Sequence, residues 1–118
     1  MKRNMLIIVL SVILNACTLI EYETLPPQLE IKVFDVNDNV IPDVNVSLFL
    51  NQEDWENDTN VVMTGMTNSG GSVVFDNLDE LVYFFKAEKD GLSNDLDIVS
   101  FNEPLKKGEK RIIKTKIQ

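Results

Sequence analysis

From residue 29 onward the apolar residues alternate with polar ones in short runs, and no stretch of twelve or more residues after position 17 carries a helical period. A period of two belongs to strands with one face buried. Leu29, Ile31 and Val33 share one face of 29–35, and Val44, Val46, Leu48 and Leu50 share one face of 44–50. Further strands are expected over 61–67, 72–75, 82–89 (with Tyr83, Phe85 and Ala87 facing in), near 96–101, and over 110–117. Residues dense in turn formers separate them: 35–43, 68–71, 76–80, 90–91 and 106–108. Residues 51–60 (NQEDWENDTN) are expected to be a polar, acidic loop. About seven short strands in about ninety residues predict an all-β fold. That fold is a single antiparallel two-sheet sandwich, Ig-like or transthyretin-like.

Composition removes several chemistries. The 118 residues hold 11 Lys+Arg against 19 Asp+Glu, for a net charge of −8, with one Cys and no His. Without His there is no imidazole base and no Ser-His-Asp or Cys-His pair. One Cys makes neither an internal disulfide nor a zinc finger. The acidic balance is unsuited to nucleic acid, which is bound by displacing phosphate counterions with Lys and Arg. Paired carboxylates serve glycosidases, but the Asp and Glu here fall in expected turns and on outward faces. A domain this small also leaves little room for a deep cleft. The chain is therefore read as a non-enzyme without a cofactor.

The amino terminus carries an address. Met1 to Asn4 is a short positive head, and Met5 to Leu14 is almost wholly apolar. Ten residues of helix span about 15 Å, half the hydrocarbon core of a bilayer. The segment is read as a signal-peptide helix rather than a membrane span. Leu14-Asn15-Ala16-Cys17 then resembles the bacterial lipoprotein signal, with Leu14 and Ala16 as recognition positions and Asn15 a less usual residue between them. The resemblance implies cleavage before Cys17 and acylation of its thiol, which would spend the only thiol as an anchor. The alternative is an ordinary secretory signal followed by a chance Cys. The expected organisation is a signal peptide over 1–16, a lipidated Cys and extended tether over 17–28, and the sandwich over 29–118. Pro26-Pro27 favours extended geometry in the tether. Glu21 and Glu23 resemble surface-export signals of Gram-negative lipoproteins, or are plain solvated linker. The expected location is the bacterial envelope, anchored at the outer membrane.

A second resemblance runs over 29–92. It starts with Val33 to Asn39, Pro42, then Val44, Val46 and Leu48. It continues with Thr67, Gly70 and Gly71, Phe75 and Leu78, then Tyr83 and Lys89-Asp90-Gly91. This order is similar to bacterial carboxypeptidase-regulatory-like domains, relatives of the transthyretin-type sandwich. Asn39 and Asp43 stand where that family often has Gly. The resemblance implies a non-catalytic structural, adhesive or docking module and names no ligand.

Three sets of side chains invite a chemical reading. Asp35, Asn37 and Asn39 alternate like the start of a calcium loop, but Val40 and Val46 stand where an EF-hand needs Gly and Glu. A plain hairpin turn is the simpler reading. Glu53, Asp54, Trp55, Glu56 and Asp58 form a candidate binding loop, where Trp55 could stack on a sugar or anchor a partner. Alternatively the indole folds back over the sandwich. Lys32 invites comparison with isopeptide-crosslinked sandwiches, but it alternates outward and the last strand has no Asn or Asp.

Charge is also polarised. Residues 18–105 carry 3 basic and 18 acidic groups, and residues 106–118 carry 6 basic and 1 acidic. The last strand is either a docking stripe for an acidic partner or headgroups, or an edge guarded by Lys against aggregation. The function expected from all this is a lipid-anchored, non-catalytic envelope protein whose sandwich is a structural or protein-docking module. Its partners are the membrane, through Cys17, and an envelope protein or a glycan. The alternatives are a carbohydrate-binding surface lipoprotein using Trp55, or a calcium-dependent adhesion module.

Overall fold

The computed structural model describes residues 25–118. The signal segment, Cys17 and the start of the tether lie outside the described residues. Seven strands and one short helix follow in order: β1 (Gln28–Phe34), β2 (Asn45–Phe49), α1 (Gln52–Asn57), β3 (Met63–Met66), β4 (Ser72–Phe75), β5 (Phe84–Lys89), β6 (Leu92–Ser93) and β7 (Lys110–Lys116). They make a three-stranded sheet ordered β4-β1-β7 and a four-stranded sheet ordered β3-β2-β5-β6. Every pairing is antiparallel except that of β1 with β7, the first and last strands, which run parallel. The fold is the two-sheet sandwich that the alternation predicts.

The inward residues of both sheets meet in one core. Leu29, Ile31 and Val33 come from β1, Val46 and Leu48 from β2, Val73 and Phe75 from β4, and Phe85 and Ala87 from β5. Val44, Leu78, Tyr83, Leu105 and Ile117 close it from the connections and strand ends. Each such Leu, Ile, Val or Phe contributes about 1.5–3 kcal/mol on burial. Thr67 is buried among them, accepting from Val44 N (2.9 Å) and donating to Ile41 O (2.8 Å) through one hydroxyl. Asp43 has φ 59°, in the left-handed region that glycine enters most easily and that Asp tolerates. Gly71 has no such substitute: at φ 75° a Cβ would stand 2.9 Å from Val33 O.

The structure departs from the alternation in three places. Residues 51–60 are not a loop throughout, because Gln52–Asn57 forms helix α1. The Asn51 side chain caps it by accepting from Asp54 N (2.8 Å), and Glu53 and Asp54 sit favourably in the first turn. Leu50 was expected to face in, yet it is 51% exposed while Phe49 is fully buried. β2 ends at Phe49 and the chain bends into the cap. Phe49 pairs with Phe84 in the register opposite to the core pair Leu48 and Phe85, on the face that α1 packs against.

The third departure is the missing strand near 96–101. Past β6 the chain keeps two backbone bonds to β5, Asn94 N to Ala87 O (3.2 Å) and Phe85 N to Val99 O (2.8 Å), and the side chain of Asn94, fully buried, fills the place between them. Asn94 Oδ1 accepts from Ala87 N (2.8 Å), and its Nδ2 donates to Phe85 O (3.2 Å) and Ile98 O (3.0 Å). An amide thus does part of the pairing that a strand would do, and Leu96 is left 84% exposed. Asn94→Ala orphans a buried N–H and loses three bonds. At about 1 kcal/mol per bond, and about 1–3 for the stranded donor, the expected loss is ~3 kcal/mol of stability. A fall in the urea midpoint at unchanged slope would show it.

Candidate functional site

The acidic segment and the last strand are the two regions that the charge pattern singles out, and they lie on different parts of the sandwich. Trp55 is the anchor of the first. From α1 its Nε1 donates to Phe85 O (3.1 Å), and Lys86 Nζ stands 5.1 Å from the centre of its ring. The indole is partly buried against β5, with its one donor spent on the backbone. Asp54 is equally committed, accepting from Asn51 Nδ2 (3.2 Å), Thr59 Oγ1 (3.2 Å) and Asn60 Nδ2 (3.0 Å). Asp58 is the C-cap at φ 55°. Glu53 and Glu56 remain on the exposed side. The five residues therefore build and dock a one-and-a-half-turn helix.

The oxygen-rich turn is likewise built from within. Asp35 Oδ1 accepts from Asn37 N (2.8 Å) and Asn39 N (3.0 Å), and Oδ2 accepts from Asn39 Nδ2 (3.2 Å). These amides, Asn39 foremost, hold its carboxyl below the usual range. Among the described residues, no group of three or more His, Cys, Asp or Glu gathers that could hold a metal ion. Cys17, Leu14 and Ala16 lie outside the described residues. Leu25 to Gln28, assigned above to the tether, are held by the domain: Leu25 O accepts from Gly108 N (2.9 Å), and Pro27 O from Leu78 N (3.2 Å).

β7 presents a different kind of chemistry. Gln28 N donates to Glu109 O (2.8 Å) and Ile117 N donates to Phe34 O (2.9 Å). These end bonds fix the parallel ladder: odd-numbered residues of β7 turn their main-chain groups to β1, and even-numbered residues turn theirs away. Beyond Lys114 the outward side is covered. Lys116 N donates to Asp97 Oδ2 (2.8 Å), and Ser93 and Gln118 exchange both bonds (3.0 and 3.3 Å). Among the described residues, the outward main-chain groups of Lys110, Ile112 and Lys114 meet no partner. β7 is seven residues long, whereas the other edge strands have four, four and two.

The outer face beside this edge is basic in an acidic molecule. Lys32, Lys110 and Lys114 project there around one carboxylate, Glu30, with Ile112 half exposed between them. Glu30 meets Lys110 Nζ (3.2 Å), Lys32 Nζ (3.7 Å) and Ser72 Oγ (3.0 Å). The bond from Lys110, then that from Ser72, holds its carboxyl below the ordinary 4.5 against the opposing effect of burial. Lys116 is raised by its contact with Asp38 (3.0 Å). The sequence marked the basic strand, but not that its edge is open only along its first half. That limit is set by Ser93 and Asp97, whose approach to β7 has no sequence signal.

Two outcomes follow for these groups. A carboxyl lowered on folding adds stability above its unfolded pKa and loses it as pH falls through the folded one. Wild type should therefore exceed Glu30→Gln in stability at neutral pH, with the gap intact down to about 4.5 and closing below it. Urea midpoints at pH 7 and pH 3 measure this. Trp55→Phe keeps the ring and deletes the bond to Phe85 O. It should cost about 1 kcal/mol and leave the fold intact, which thermal unfolding would register as a lowered Tm.

No protein-family model matches the chain, and no curated protein matches it. Among solved structures it is similar to the Bacillus anthracis TIE protein, at 19% identity and TM-score 0.50, over 77% of this chain and 17% of that one. A second similar structure is the group B streptococcus pilus 2b backbone protein, at 14% identity and TM-score 0.44, over 78% of this chain and 41% of that one. The chain spans less than half of either protein. At such identity the first likeness shows the fold alone, a β-sandwich domain.

Proposed function

We propose that this protein is a lipid-anchored, non-catalytic module of the Gram-negative envelope, of the carboxypeptidase-regulatory-like type, that docks a protein partner at the edge of β7. The observation that carries the docking role is the run of main-chain groups at Lys110, Ile112 and Lys114 that meet no partner among the described residues. An edge of this kind is the usual template for strand addition. The anchor rests on Leu14-Asn15-Ala16-Cys17. A single acyl chain holds a protein only marginally, and two or more hold it stably. Trp55 supports this reading over a glycan platform, because its donor is spent on Phe85 and Lys86 lies over its ring. Asp35 supports it over a calcium site, because its carboxylate is filled by amides of Asn37 and Asn39.

The deciding experiment is the intact mass of the protein from a membrane fraction. The expected mass is that of residues 17–118 plus a diacylglycerol and one acyl chain. Cys17→Ala should stay unprocessed. A cleaved chain without lipid would overturn the anchor and make this a soluble secreted domain.

A further inference from the structure

We infer that the open half of β7 takes an extended acidic segment of a partner protein, with carboxylates placed opposite Lys110 and Lys114. The inference rests on the docking role of this edge and names the chemistry of its partner. An added strand would bond to the outward N–H and C=O groups of Lys110, Ile112 and Lys114. Its side chains would alternate with the pleat, so every second one would stand beside these three on the outer face. Lys110, Ile112 and Lys114 therefore ask for an acidic, an apolar and an acidic residue at positions i, i+2 and i+4.

The charge on this face is in surplus. Lys32 and Lys110 share a single carboxylate, Glu30, and Lys114 has no acidic partner among the described residues. A second copy of β7 is rejected by the same charges: antiparallel pairing centred on Ile112 sets Lys110 against Lys114 twice. The segment is also bounded. Past Lys114 the edge meets Asp97 and Asp38 around a groove of about 400 Å³ with Ile98 in its wall. Lys114 and Lys116 line it too, and Lys116 pairs with Asp38 (3.0 Å), so the groove carries no surplus of either sign and suits an apolar side chain.

The test uses the full isotope-labelled chain and two synthetic peptides. One carries Glu-Thr-Val-Thr-Glu, which places Glu, Val and Glu at i, i+2 and i+4, and the other has Lys in place of Glu. The acidic peptide should slow amide exchange at Ile112 and Lys114 and bind at least tenfold tighter than the basic one, less so at high salt. Lys110→Glu with Lys114→Glu should reverse that preference. Both positions are exposed, and Glu30→Gln is added so that the carboxylate paired with Lys110 is not left among like charges. Ile112→Pro should abolish binding of either peptide, since its N–H faces away from β1 and its loss breaks no bond of the sheet. Equal binding of both peptides would overturn the acidic partner and leave edge docking standing. No protection by either peptide would overturn both, and the mass of the anchored chain is read independently of all three results.

Discussion

The parallel ladder between β1 and β7 is the interaction on which the rest of this domain depends. β1 is the middle strand of its sheet and needs a partner on each side. β4 supplies one through Leu29 to Lys32, and β7 supplies the other along the whole length of β1. Without β7 a row of N–H and C=O groups in the centre of the sandwich would be stranded, at a cost of about 1–3 kcal/mol for each buried group. β7 also brings in Thr115 and Ile117, both buried, and Ile117 joins the core. The strand that satisfies β1 thereby becomes an edge itself. The open groups at Lys110, Ile112 and Lys114 are the residue of that arrangement.

Much of the sandwich was legible because burial on one face imposes a period of two. β1, β4 and β7 fall within a residue or so of the expected runs, and the inward sets at 29–33, 44–48 and 83–87 are fully or nearly fully buried. What was hidden follows from side chains acting as backbone. The Asn94 side chain stands in for part of a strand, and nothing in Ser93-Asn94-Asp95 distinguishes that from a turn. Asn51 turns a polar loop into a helix by one capping bond, and six residues are too few to display a period. Trp55 could be read as platform or as packing until its Nε1 was found on Phe85 O. In each case a long-range partner decided the outcome, and sequence spacing carries no record of it. Asp43 takes a left-handed φ, a conformation that glycine enters most easily and that Asp tolerates.

The polarised charge acquires a spatial meaning once the sheets are in place. Acidic side chains stud α1 and the turns, whereas the lysines of the carboxyl end gather on one face of the three-stranded sheet. Glu30 beneath them is held charged by Lys110 and Ser72 and partly neutralises the cluster. One buried carboxylate among three lysines tempers repulsion within the face without removing its net positive sign. The same surplus that guards the edge against its own kind makes it selective for a strand of opposite charge.

An edge with three alternating residues offers at most six main-chain bonds, worth about 6 kcal/mol together at about 1 kcal/mol each. Association alone costs about 4–15 kcal/mol in lost translational and rotational freedom. Such a contact is weak between free molecules. It becomes useful when both partners are held in one plane, because confinement raises the effective concentration of one for the other. The proposed anchor at Cys17 supplies that confinement. Leu25 is fixed beside Gly108, near the start of β7, so residues 18–24 separate Cys17 from the domain. At roughly 3.5 Å per extended residue, these seven give a reach of about 25 Å. The short edge and the proposed anchor fit one another: an anchored chain would hold the open half of β7 near a membrane-bound partner, and charge would select the strand that completes it.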